Sequence, residues 1–136
     1  MKTLQETKQS FEKSLLAPIK GQLLVFEGCP GYDVYNCSVP FSWQGKQYIF
    51  GRVEQPGIWA DSRVLLFEAT AEVNYQALPQ TVLQLEDPFV CQVDGEWVVG
   101  GTHVRKQAEQ IDTYYTYFYR GPSPFNLHYF TTGPDK

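Results

Sequence analysis

The chain has 136 residues, 43% of them hydrophobic and 15% aromatic, with a formal net charge of −4 and a pI near 5.1. That is enough apolar chain for one domain with a real core, and it excludes disorder. The acidic balance and the lack of a basic stripe exclude nucleic acid as a partner.

Thr3 to Leu16 is expected to be the one helix. Thr3 and Glu6 have capping-box spacing, Leu4, Phe11 and Leu15 fall near one face, and Pro18 stops it. An arm packed on the domain is expected from it. Strand patterns follow: Gln22–Glu27, then a hairpin of Ser38–Trp43 and Gln47–Glu54 turning at Gln44-Gly45-Lys46, then Arg63–Ala69. Asn74–Gln80 reads as a polar connection. A second hairpin joins Phe89–Val93 to Glu96–His103 through Asp94-Gly95, a pair suited to positive φ at both turn positions. Asp112–Arg120 reads as a long aromatic strand, bulky on both faces and so expected to be covered on both. Gly121-Pro122-Ser123-Pro124 ends it, and Leu127–Thr131 opens one more strand.

The two hairpins repeat each other. Pro40 and Pro88 are 48 positions apart, while Gly45 and Gly95, and Gly51 and Gly101, are each 50 apart. A β-unit recurring at about 40–50 residues is the mark of a propeller blade, and a closed ring needs about four blades. The fold expected is therefore all-β, a partial propeller of two to three blades with a short N-terminal helix. It is one domain over 1–136: an arm at 1–20, a first blade region at 22–80, and at 81–132 a second with the start of the next.

No run reaches the roughly 20 apolar residues of a membrane span or the about 7–15 of a signal peptide. A cytoplasmic protein with no membrane contact is expected. Cys29, Cys37 and Cys91 are odd in number and lack metal-ligand spacing, so reduced thiols are expected, with Cys91 buried. His103 and His128 stand without a partner at ligand spacing, and neither a metal nor a cofactor is expected.

The chemistry-bearing residues gather at the starts of the inner strands, which in a propeller line the central funnel. Asp87 precedes Pro88, a residue suited to a strand's beginning, and Asn36 holds the equivalent place in the first unit. Arg52 and Glu54 share one strand face, and Ser62 and Arg63 follow after a loop. Amide, guanidinium and carboxylate groups beside Tyr and Trp suit a sugar, which offers hydroxyls and an apolar ring face. Plainer readings exist for each. Asp87 could cap a turn, Asn36 could be a turn residue, and Arg52 with Glu54 could be a solvated ion pair.

In their order, Asn36, Arg52-Val53-Glu54, Ser62-Arg63 and Glu86-Asp87-Pro88 resemble glycoside hydrolase family 130, five-bladed propellers acting on β-mannosides, mostly as phosphorylases. The match is closer to a sister family of bacterial proteins, a five-bladed propeller domain of unknown function. That family is similar in Pro18-Ile19-Lys20-Gly21, Asp33-Val34-Tyr35-Asn36, Gly51-Arg52-Val53-Glu54, Asp87-Pro88-Phe89-Val90 and Phe118-Tyr119-Arg120-Gly121. The resemblance implies that this chain is the N-terminal half of such a disc. It implies Asp87 as general acid, Asn36 and Arg52 beside the sugar that is cleaved, and Ser62 and Arg63 on the funnel wall. Two positions depart from the family 130 pattern: Phe89 stands where an Arg usually follows Asp-Pro, and Cys37 where a Pro often follows the Asn. The phosphate-gripping basic residues belong to later blades.

Hydrolysis would need a base as well as an acid. Glu54 is the better candidate, since strand alternation should turn Glu86 away from Asp87. The chain is thus expected to be a glycosidase- or phosphorylase-like fragment that binds a mannose-like saccharide and is weak or inactive alone. A non-catalytic carbohydrate-binding module and a ligand-free, self-assembling β-domain are the alternatives. Missing blades or copies of itself are the expected protein partners.

Overall fold

The computed structural model describes residues 3–14, 21–58, 61–107 and 110–135. Helix α1 (Leu4–Ser14) starts on the foreseen capping box: the Thr3 amide donates to Glu6 Oε2 at 2.7 Å, and the Glu6 amide donates to Thr3 Oγ1 at 3.2 Å. None of its side chains is buried, and Leu4 and Phe11 are exposed, which corrects the expected packed arm. Two apolar side chains on an otherwise polar helix offer little area to hold it down. Leu15, the stop at Pro18 and most of the Pro18-Ile19-Lys20-Gly21 motif lie outside the described residues.

The strands form two sheets. The first holds β1 (Val25–Glu27), β2 (Asp33–Tyr35), β3 (Phe41–Trp43), β4 (Lys46–Glu54), β5 (Arg63–Ala69) and β6 (Asn74–Leu83). Their order is β1-β6-β5-β4-β2, with β3 also on β4; β1 joins parallel and the rest antiparallel. The second is an antiparallel meander of β7 (Glu86–Val93), β8 (Glu96–Gln107), β9 (Gln110–Ser123) and β10 (Asn126–Asp135). The two foreseen turns are mirror-type: φ is 47° and 79° at Gln44-Gly45, and 52° and 80° at Asp94-Gly95.

Four expectations change. Asn74–Gln80 is not a connection but most of β6. Pro79 hides the strand by interrupting its alternation, and it falls in a bulge where the register slips between Leu66↔Leu78 and Leu65↔Val82. The last strand, β10, pairs with β9 and is the fourth strand of the second sheet rather than the opening of another. The aromatic run is covered on one face only. Tyr117 and Tyr119 pack on the core, whereas Phe118 lies on the other side against exposed Phe89, and Tyr114 is exposed. Cys91 shares that open side and is exposed, not buried.

The main core lies between the sheets: Tyr48, Phe50, Val64, Leu66 and Leu83 from the first meet Val99 from the second and Leu85 from the segment that joins them. Phe41 on Trp97, with ring centroids 4.9 Å apart, and Trp43 on Phe125, at 5.1 Å, extend the contact. A second cluster, Ile49, Val53, Phe67, Tyr75 and Ala77, covers the opposite face of the first sheet. Two sheets stacked face to face make this a partial, all-β propeller-like fold. Among the described residues, no helix is long and apolar enough to cross a membrane.

Candidate functional site

Each sheet's innermost line of backbone carries the same irregularity. In the first sheet, Tyr35 pairs with Arg52, and the Ser38 amide donates to the Phe50 carbonyl at 2.8 Å. In the second, Glu86 pairs with Thr102, and Phe89 with Gly100. Both inner strands therefore hold one residue more than their partners over this span, a β-bulge. Each bulge contains a left-handed residue, Asn36 with φ 45° and Asp87 with φ 50°. Asn and Asp are the non-glycine residues that tolerate this conformation best. The repeat is thus structural, but its proline landmark is not: Pro88 corresponds to Cys37, and Pro40 lies further along.

The two bulges face each other. Asn36 Nδ2 donates to Asp87 Oδ1 at 2.8 Å across the gap between sheets. Within the second sheet, Gly101 makes room for the bulge, since a Cβ there would lie 2.5 Å from the Glu86 carbonyl oxygen. The left-handed turn also breaks strand alternation. Glu86 and Asp87 both reach Arg52, at 3.4 and 3.1 Å, so the expected separation of these two carboxylates does not occur.

Arg52 is the hub. Its Nη1 donates to Asp87 Oδ1 at 3.1 Å, Nη2 to Glu54 Oε2 at 2.6 Å, and Nε to Ser62 Oγ at 2.9 Å. The Tyr35 ring lies 5.0 Å from the guanidinium. The Arg52 and Glu54 side chains are only 12% and 9% exposed, so this is not a solvated surface pair. Asp87, at 53%, is the member open to solvent. Three carboxylates surround one guanidinium, which leaves the cluster negatively charged.

Glu54 is the cluster's fixed point. Its Oε2 accepts from Tyr35 Oη at 2.8 Å, from Ser62 Oγ and from Arg52. Burial by itself would raise the Glu54 pKa, but the bonds from Ser62, Tyr35 and Arg52 and the Arg52 charge outweigh it and hold the group below its ordinary 4.5. Partial burial and the bond to Glu54 push the Tyr35 phenol up, so it stays a donor. A native carboxylate with a lowered pKa binds fewer protons than its unfolded form. Its stabilisation is therefore complete above about pH 4.5 and is lost as pH falls through the lower native value. Thermal melts from pH 7 to pH 3 should show wild type more stable than Glu54→Gln at neutral pH, with the gap closing below about pH 4. A gap that does not narrow at all between pH 5 and pH 3 contradicts this placement of the charge.

Of the residues singled out in the sequence, Asn36, Arg52, Glu54, Ser62 and Asp87 come together. Arg63 does not. It follows Ser62 at the start of β5, and its exposed side chain lines the clefts beside the cluster. Tyr35 is the member that sequence reasoning missed, and Glu86, expected to point away and ranked behind Glu54 as a base, joins the cluster as well. The repeat held the signal, because Tyr35 precedes Asn36 as Glu86 precedes Asp87.

A family model described as "Protein of unknown function (DUF1861)" matches residues 9–136. The chain belongs to this family. Solved structures similar to this DUF1861 chain include a mannose phosphorylase from Leishmania mexicana, MPT-4, in complex with phosphate ion. It is 52% identical with a TM-score of 0.86, over 97% of this chain and 41% of that one. MPT-1 from the same organism, a GDP-Man-dependent mannosyltransferase, is 39% identical with a TM-score of 0.87, over 98% of this chain and 43% of that one. A hypothetical protein from Leishmania major is 48% identical with a TM-score of 0.81, over 94% of this chain and 41% of that one. This chain therefore spans well under half the length of these relatives. No curated protein matches it.

Proposed function

We propose that this chain supplies the acid side of a mannose-processing site in a five-bladed propeller related to glycoside hydrolase family 130. Asp87 is the proton donor to the leaving oxygen. The observation that carries this reading is the meeting of Asn36 and Asp87, two left-handed bulge residues from different sheets, over one shared arginine. Both bonds to Asp87 fall on Oδ1, which leaves Oδ2, on a side chain open to solvent, to carry a proton to a ligand. Similarity to a mannose phosphorylase and a GDP-Man-dependent mannosyltransferase supports mannose as the sugar.

In this reading Asn36 and Arg52 set the Asp87 carboxyl, and Ser62 and Glu54 set Arg52. Glu54 is a positioning residue and not the base, because donors crowd its inner oxygen and it is nearly buried. Phosphorolysis needs no base, since phosphate itself displaces the leaving sugar while Asp87 protonates the departing oxygen. The phosphate must be gripped elsewhere: Arg52 has its donors engaged, and the Glu54 and Glu86 carboxylates beside it repel an anion. Arg63 remains a candidate for the outer wall. Sugar binding without turnover is a second reading, favoured by the lack of an unengaged base among the cluster's described residues.

Titration of the isotopically labelled chain with mannose tests both. The amides of Asn36 and Asp87 should shift, and Asn36→Ala should weaken binding about tenfold, the scale of one hydrogen bond. If neither amide moves at any concentration, the sugar site is wrong and a ligand-free β-domain remains.

A further inference from the structure

The two sheets treat their outer faces differently. The outer face of the first is filled by its own chain: Ile49, Val53 and Phe67 are buried there, with Phe26, Cys29 and Val34 packed against them. The outer face of the second is open. Cross-strand register puts Phe89 beside Gly100 and Phe118 in one row, and Cys91 beside Val98 and Arg120 in the next. Val93 lies two residues beyond Cys91 on the same side, and the Arg120 guanidinium carbon lies 5.4 Å from the centre of the Phe130 ring. Phe89, Val93 and Phe130 are 43%, 45% and 57% exposed. Single exposed apolar side chains are ordinary, but a contiguous apolar face marks an interface.

The internal repeat says what shape of partner fits. Phe50 and Gly100 are 50 positions apart, as the hairpin glycines are, and Phe50 lies on the face by which the first sheet buries the second. The open face is therefore the equivalent of one that already takes a β-sheet flat against it. Gly100 suits it to the same task. A Cβ there would strike the Phe89 ring, so its absence lets that ring lie across β8 toward Phe118, with centroids 5.8 Å apart.

Charge and area say which sheet. On this face Arg120 Nη2 holds Glu96 Oε2 at 2.5 Å, and both side chains are partly exposed. One positive and one negative group side by side leave the face neutral, and about a two-fold axis each meets its opposite. Four strands about 4.8 Å apart, and roughly 30 Å of β8 from Glu96 to Val104, give a footprint of roughly 600 Å². Two copies would bury roughly 1,200 Å², the lower edge of stable interfaces. The filled outer face of the first sheet offers no seat for head-to-tail growth. We propose that a second copy of this chain covers the open face, sheet against sheet, in a closed two-fold dimer. The inference does not rest on the mannose reading. A longer propeller would place its next sheet on the same face, so that occupant is an arm of the test.

Analytical ultracentrifugation of the 136-residue chain from about 1 μM to about 1 mM should show a reversible monomer–dimer equilibrium, with a dissociation constant in the micromolar range and no larger species. Phe130→Ser and Val93→Ser, at separate points of the face, should each weaken dimerisation about tenfold with circular dichroism unchanged. Leu4→Ser, on the exposed helix α1, should leave it as in wild type. Cys91 lies within the face, so its labelling by a maleimide, located by mass spectrometry, should be lost in step with dimer formation. A chain that stays monomeric at about 1 mM overturns the proposal. So does a dimer whose Cys91 labels as fast as in the dilute chain, or one that Leu4→Ser dissociates and Phe130→Ser does not. Species larger than a dimer overturn the closed two-fold arrangement. If the part of the MPT-4 phosphorylase that this chain does not span protects Cys91 where a second copy does not, the face belongs to a further sheet and the dimer is overturned.

Discussion

If Asp87 is the general acid proposed above, Asp87→Asn should lower mannoside turnover by about 10²–10⁴-fold, the usual worth of such a group, while sugar binding survives. The measurement suits a fusion of this chain to the part of a full-length relative that it does not span, with phosphorolysis of a β-mannoside followed by sugar phosphate release. The substitution changes one atom. Its amide oxygen can still accept from Asn36 Nδ2 and Arg52 Nη1, so the cluster keeps its shape. What disappears is the transferable proton on the outer oxygen. A substrate with an activated leaving group, which needs no proton, should regain most of the lost rate, whereas a merely structural Asp87 would give no such recovery. Turnover within threefold of wild type on an unactivated substrate removes Asp87 from the chemistry.

Arg52→Ala destabilises the fold by about 3–5 kcal/mol, the cost of stranding a buried charge. Glu54 would be left nearly buried with its guanidinium partner gone, and Glu86 and Asp87 would lose the cation between them. Urea unfolding followed by tryptophan fluorescence reads the loss directly. Arg52→Lys should recover little of it. A single ammonium cannot reach Glu54, Ser62 and Asp87 at once, as the planar fork does. Combining Arg52→Ala with Glu54→Gln should cost less than the sum of the two, since the second change removes the stranded charge. A loss below about 1 kcal/mol for Arg52→Ala would mean that water, and not the protein, solvates this cluster.

Much of the fold was written locally. The capping box at Thr3 and Glu6, the Asp94-Gly95 turn and the 50-residue spacing of the glycines are short-range signals, and each marks the element it should. The pairing of Asn36 with Asp87 was also legible, because a repeat places equivalent residues at equivalent points of adjacent sheets. Strand β6 was hidden because Pro79 and its bulge mask the alternation on which strand reading depends. The exposure of Cys91 and of α1 was hidden as well. Burial depends on what stands opposite a face, and no residue carries that information by itself.

The sequence by itself determined the residue types at the site, the two-unit β architecture and the positions of the hairpin turns. Only the tertiary structure decided who touches whom. A left-handed bulge at Asp87 put Glu86 on the same side as its neighbour. The packing of two sheets buried Glu54 beneath Arg52. The reason is geometric: side-chain direction along a regular strand follows from sequence position, but at a bulge it follows from one backbone angle, and that angle is fixed by the sheet packed alongside.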